Sequence, residues 1–133
     1  MTARSFAAAL AVLLVVSDCK DTNKPDPTLE GTWSGGYTEP VGVYCSGGYI
    51  AITMALAQSD SAISGSASYG GGANILGVVG TYAYPQVSLT FRWPPSTWFG
   101  SFSFAGRLTN ASTMTGVVDV DGCGYAPATF TRQ

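Results

Sequence analysis

The chain contains no histidine in its 133 residues. This excludes Ser-His-Asp and Cys-His catalysis, the usual zinc sites and the side chain best suited to general base work near neutral pH. Charge is also scarce, at 11% of residues with a net charge of −2. From Glu30 onward the cations are Arg92, Arg107 and Arg132, set against Glu30, Glu39, Asp60, Asp119 and Asp121. Nucleic acid is excluded as a partner because its phosphates demand clustered Lys or Arg, and no basic amphipathic helix exists for lipid headgroups. The acids fall in separate connections, without the paired carboxylates of glycoside chemistry. Asp119-Val120-Asp121-Gly122 has too few oxygen ligands for a calcium loop and reads as a turn. Asn110-Ala111-Ser112 fits a glycosylation sequon but reads equally as a turn. The chain is therefore expected to be no enzyme and to hold neither metal nor cofactor.

Long apolar runs are limited to one, residues 6–16 behind Arg4. It is well short of the roughly 20 residues that a spanning helix needs, and suits the core of a signal peptide. The run ends in Val16-Ser17-Asp18-Cys19, which resembles a bacterial lipobox, where the Cys is acylated and becomes the new N-terminus. Asp18 departs from that pattern, whose penultimate residue is Gly, Ala or Ser. Cleavage after Ser17 without acylation is the competing outcome. Acylation is favoured because a free thiol is a liability in an oxidising compartment. Lys20, where an Asp would favour the inner membrane, points to the outer one. The expected organisation is a signal peptide over 1–18, a flexible tether over 19–29 and one β domain over 30–133. The tether is polar and carries Pro25 and Pro27. The address is the bacterial cell envelope, with the membrane reached through the lipid anchor only.

Gly, Ser, Thr, Ala and Tyr dominate the remainder, while Lys, Glu and Leu are few, as in extracellular all-β domains. Alternation of apolar and polar residues marks eight segments: 30–37, 49–58, 62–69, 74–84, 86–93, 99–108, 112–120 and 125–132. Turn residues separate them, among them Asp60-Ser61, Gly70-Gly71-Gly72, Pro85 and Pro94-Pro95. Short connections favour an eight-stranded antiparallel up-and-down barrel, closed so that no edge remains to aggregate. Glycines on the inward face suit a small, strongly coiled barrel whose lumen would otherwise overfill. A β-sandwich of the same strands is the alternative.

The first strand opens Leu29-Glu30-Gly31-Thr32-Trp33-Ser34-Gly35, which resembles the Gly-x-Trp start of the calycin barrels: lipocalins, fatty-acid-binding proteins and avidins. Ser61–Ser66 resembles the second hairpin of small bacterial lipocalin-like lipoproteins. The resemblance implies that Trp33 closes one barrel end beneath a cation from the last strand, a place that Arg132 fills.

Cysteine spacing then divides three residues into one and two. Cys19 closes the leader; Cys45 and Cys123 lie within the domain, each beside Gly and Tyr. In an up-and-down barrel both fall in connections at one end, on strands that meet at closure, so they are expected to pair. A cross-link of almost 80 residues would restrain the unfolded chain by roughly 4–5 kcal/mol. Tyr44, Tyr69, Trp93, Trp98, Phe99 and Tyr125 gather in or beside the connections at this same end. Such rings either form the mouth of an apolar ligand site or a partner surface, or they only cap the core. Three functions follow: binding of a small apolar ligand or an envelope protein; inhibition of a secreted metalloprotease by insertion of residues 20–29; or a structural module without a ligand.

Overall fold

The structure, a computed structural model, describes residues 25–43, 45–72, 74–95, 101–120 and 122–133. Its strands in chain order are β1 (Gly31–Thr38), β2 (Val41–Gly42), β3 (Cys45–Ser46), β4 (Tyr49–Ser59), β5 (Ala62–Tyr69), β6 (Asn74–Ala83), β7 (Gln86–Arg92), β8 (Ser101–Asn110), β9 (Thr113–Val120) and β10 (Gly124–Arg132). Eight of them close into an antiparallel barrel in the order β1-β10-β9-β8-β7-β6-β5-β4. The sandwich alternative is thereby overturned: β1 pairs with β10 on one side and with β4 on the other, which leaves no open sheet. β2 and β3 form a separate hairpin inside the β1–β4 connection, a feature that alternation did not reveal.

Register sets the shape. Following partners round the barrel from Gly31 through Leu56, Gly65, Val78, Phe91 and Phe102, with the β8–β9 and β1–β10 registers continued past their last paired residues, brings the path back ten positions along the chain from its start. A stagger of this size across eight strands tilts them by roughly 35–45° to the axis. Inward positions are apolar along each strand, and among the described residues no charged or non-aromatic polar side chain is fully buried. Outward positions carry Ser, Thr and Ala, as in Ser64, Ser66 and Ser68 of β5.

The interior is a column of rings. Trp33, Phe91, Phe104 and Phe130 are fully buried; Phe104 meets Phe130 edge-on at 5.3 Å, and Phe91 stacks on Phe102 at 4.7 Å. The rings need room, and glycine gives it. Gly106 and Gly116 face each other across β8 and β9, and the Phe104 ring lies over Gly106. A Cβ on Gly116 would stand 2.2 Å from the Ala105 carbonyl oxygen and 2.5 Å from the Gly106 Cα. Both are backbone atoms that no rotamer can move aside. Gly116→Ala is expected to cost about 1–3 kcal/mol, read as a lower midpoint in thermal or urea unfolding.

The chain leaves β1, β5, β7 and β9 at one end, which also holds the Cys45–Cys123 disulfide, with Cα atoms 5.9 Å apart. The bond ties the β1–β4 connection to the β9–β10 turn and so braces the seam where first and last strands meet. With the cysteines 78 positions apart in sequence, reduction is expected to lower stability by about 4–5 kcal/mol, seen as a marked drop in melting temperature under dithiothreitol.

Candidate functional site

The two barrel ends are built differently. At the end opposite the disulfide, Arg132 lies over the Trp33 ring, its guanidinium carbon 4.4 Å from the ring centre, as the Gly-x-Trp resemblance implies. The guanidinium donates to three carbonyls: Nη1 to Glu30 at 2.6 Å, Nη2 to Thr28 at 2.5 Å and Nε to Ala111 at 3.1 Å. Trp33 Nε1 donates to the Leu29 carbonyl at 2.9 Å, and the Tyr82 hydroxyl donates to that of Pro27. Four consecutive carbonyls, from Pro27 to Glu30, are thus each held by a side chain. Leu29 is fully buried and its N–H donates to Gln58 Oε1 at 2.8 Å. The ordered barrel end therefore begins at Pro27, inside the segment that composition assigns to the tether. Burial of the single side chain of Leu29 carries this extension, and one leucine leaves no periodic trace in a sequence.

At the disulfide end, rings descend into the interior. Tyr69 meets Trp93 edge-on at 5.0 Å and Phe102 at 5.7 Å, and its hydroxyl lies 3.2 Å from that of Tyr37. Tyr69 and Trp93 are half-buried at the rim. Tyr44, Trp98 and Phe99 lie outside the described residues. Tyr125 does not join this stack. The residue after it, Ala126, is the inward one, so Tyr125 stands on the outer wall beside Asp119, 72% exposed.

What the outer surface offers here is an apolar ridge. Val41 and Val43 on the β2–β3 hairpin are 86% and 90% exposed, and Tyr49 at the start of β4 is 64% exposed. Tyr49 pairs with Thr38 at the end of β1, and Tyr125 stands near the start of β10, the strand on the other side of β1. The hairpin is braced. The Glu39 carboxylate accepts from the Ser46 N–H at 2.8 Å and its hydroxyl at 3.2 Å, Glu39 N–H donates to the Gly48 carbonyl, and Cys45 is buried in the disulfide. A loop already fixed in shape loses little entropy when a partner covers it. Val41 and Val43 were not legible as a site, because two-residue strands carry no period. Asn110 spends its amide oxygen on the Ser112 N–H, which closes the β8–β9 turn and gives the sequon a structural role.

No protein-family model, curated protein or solved structure matches the chain.

Burial first, then the hydrogen bond to Tyr69, pushes the Tyr37 phenol well above its ordinary value of 10.0. The unfolded chain ionises near that ordinary value while the fold keeps the proton. The stabilisation is thus complete below about pH 10 and is lost as pH climbs above it. Stability is expected to fall steeply above about pH 10, with the Tyr37 phenolate absorbance appearing only as the barrel opens. Tyr37→Phe should keep a larger share of its neutral-pH stability under alkali than the parent does.

Proposed function

We propose that the protein is a non-enzymatic, lipocalin-like envelope protein, anchored by acylated Cys19, whose barrel is a rigid head for a partner protein rather than a container for a small ligand. The packed interior carries this reading. The positions that line the cavity of a ligand carrier are occupied here by Trp33, Phe91, Phe104, Phe130, Leu89 and Met114, all fully buried. The four most exposed large apolar side chains among the described residues, Val43, Val41, Tyr125 and Tyr49, instead stand on the braced hairpin and on the strands beside the seam, the arrangement of a contact site. The Ser/Thr wall also argues against a barrel that crosses the bilayer, which needs an apolar exterior and a polar lumen. Inhibition by N-terminal insertion is less well supported, since an enzyme taking up residues 20–29 would break the bonds that hold the Pro27, Thr28 and Leu29 carbonyls.

The test uses a photoreactive benzoylphenylalanine at Val41, Tyr125 or Val79 in the producing bacterium. Val79 is an outward residue of β6, away from the ridge. Val41 and Tyr125 are expected to yield an adduct of one discrete size and Val79 none. Palmitate and anilinonaphthalene sulfonate should leave tryptophan emission of the purified barrel unchanged. Saturable binding of either probe, with no adduct from the ridge, would replace this function by the ligand-carrier one.

A further inference from the structure

We propose that the Arg132 end is the membrane-facing end of the anchored protein, and that the clamp on residues 27–30 holds the hairpin end away from the bilayer. The inference rests on the acylation of Cys19 proposed above and adds a direction to it. An anchored domain on a long free leader would turn in any direction. Here the leader is not free up to β1. The carbonyls of Pro27, Thr28, Leu29 and Glu30 are bound by Tyr82, Arg132, Trp33 and Arg132 again, and the Leu29 side chain is buried beneath them. The chain therefore leaves the barrel at Asp26, at the end opposite the disulfide.

Lengths decide the outcome. From Cys19 to Asp26 the chain can span at most roughly 25 Å. Strands of 7 to 11 residues, tilted as the register requires, make a barrel on the order of 25 Å tall. The greatest span from Cys19 to the clamp is thus no longer than the barrel is tall. The Arg132 end stays within one tether length of the lipid, and the hairpin end projects up to about twice as far. Val41, Val43, Tyr49 and Tyr125 then face the aqueous side, where a protein partner reaches them and the lipid does not.

The mature protein, extracted from the producing bacterium in detergent, is reconstituted into phosphatidylcholine vesicles containing a nickel-chelating lipid. Nitroxides are placed at Ser61→Cys and Ala111→Cys, in the two turns beside the clamp, and at Tyr49→Cys and Ile75→Cys near the hairpin end. All four positions are exposed. Relaxation by the headgroup nickel should be several-fold stronger at 61 and 111 than at 49 and 75. A Gly/Ser insertion of about ten residues after Lys24, which leaves the barrel untouched, should erase most of that contrast. Equal relaxation at both ends in the anchored parent, stronger relaxation at 49 and 75, or a contrast that survives the insertion would each overturn the inference. Loss of the protein from the vesicles would instead remove the anchor, and with it both readings.

Discussion

The structure depends on one guanidinium. Arg132 is the last residue of the last strand, and it reaches the entering chain at Thr28 and Glu30, the β8–β9 turn at Ala111 and the face of Trp33. A barrel must solve the problem of its own closure: the strands that meet last are the farthest apart in sequence, so their pairing carries the greatest cost in chain entropy. Arg132 answers it with a planar fork whose donors engage carbonyls on three sides while its face rests on an aromatic ring. A lysine has neither the fork nor the plane. The disulfide answers the same problem at the other end, covalently, by joining the loop that leaves β1 to the turn that begins β10. The seam is thus fastened at both ends, and the ring column between them packs against strands that cannot separate.

This arrangement explains which parts of the fold were readable in the sequence. The eight long strands were legible because each buries one face, and burial imposes a period of two on the residues. Gly31, Trp33 and Arg132 were legible as a set through the resemblance to calycin barrels, and Cys45 with Cys123 through topology. Features that bury little were not. The β2–β3 hairpin is held by Glu39, Ser46 and the disulfide rather than by an apolar face, so it writes no pattern. The clamp on residues 27–30 is made by side chains acting on carbonyls, and a carbonyl is present whatever the residue. Leu29 alone marks it, set among Asp, Pro and Thr. The side of the wall on which Tyr125 stands follows from parity with Ala126, yet composition grouped it with rings that point inward.

The glycines show how the interior reaches its packing. A barrel of eight strands has a narrow axis, and Trp and Phe rings at every inward position would exceed it. Gly106 and Gly116 let β8 and β9 approach and give the Phe104 ring a floor. At Gly65, Gly80 and Gly116 the space a Cβ would take is occupied by the backbone of the neighbouring strand, and at Gly106 by backbone and the Phe104 ring. Glycine at these positions therefore marks close approach of strands rather than a hollow lumen, and the sequence pattern alone does not distinguish the two cases.

The two ends consequently have separate duties. Backbone carbonyls that are hydrogen-bonded by buried or half-buried side chains offer nothing to a partner, and the Arg132 end has used its polar groups on its own chain. The disulfide end leaves five large apolar side chains in water, Val41, Val43, Tyr49, Ile75 and Tyr125, the first two on a hairpin braced by a covalent bond and a carboxylate. Keeping apolar side chains exposed is unfavourable unless something covers them, and bracing them reduces the entropy that covering would cost. On the function proposed above, a barrel whose Cys45–Cys123 disulfide stands beside its most exposed apolar residues would make contact at that end. With the anchor proposed at Cys19, the clamp at the other end would govern where that surface can go, because attachment at a fixed point converts a tether from a simple tie into a director of the head it carries.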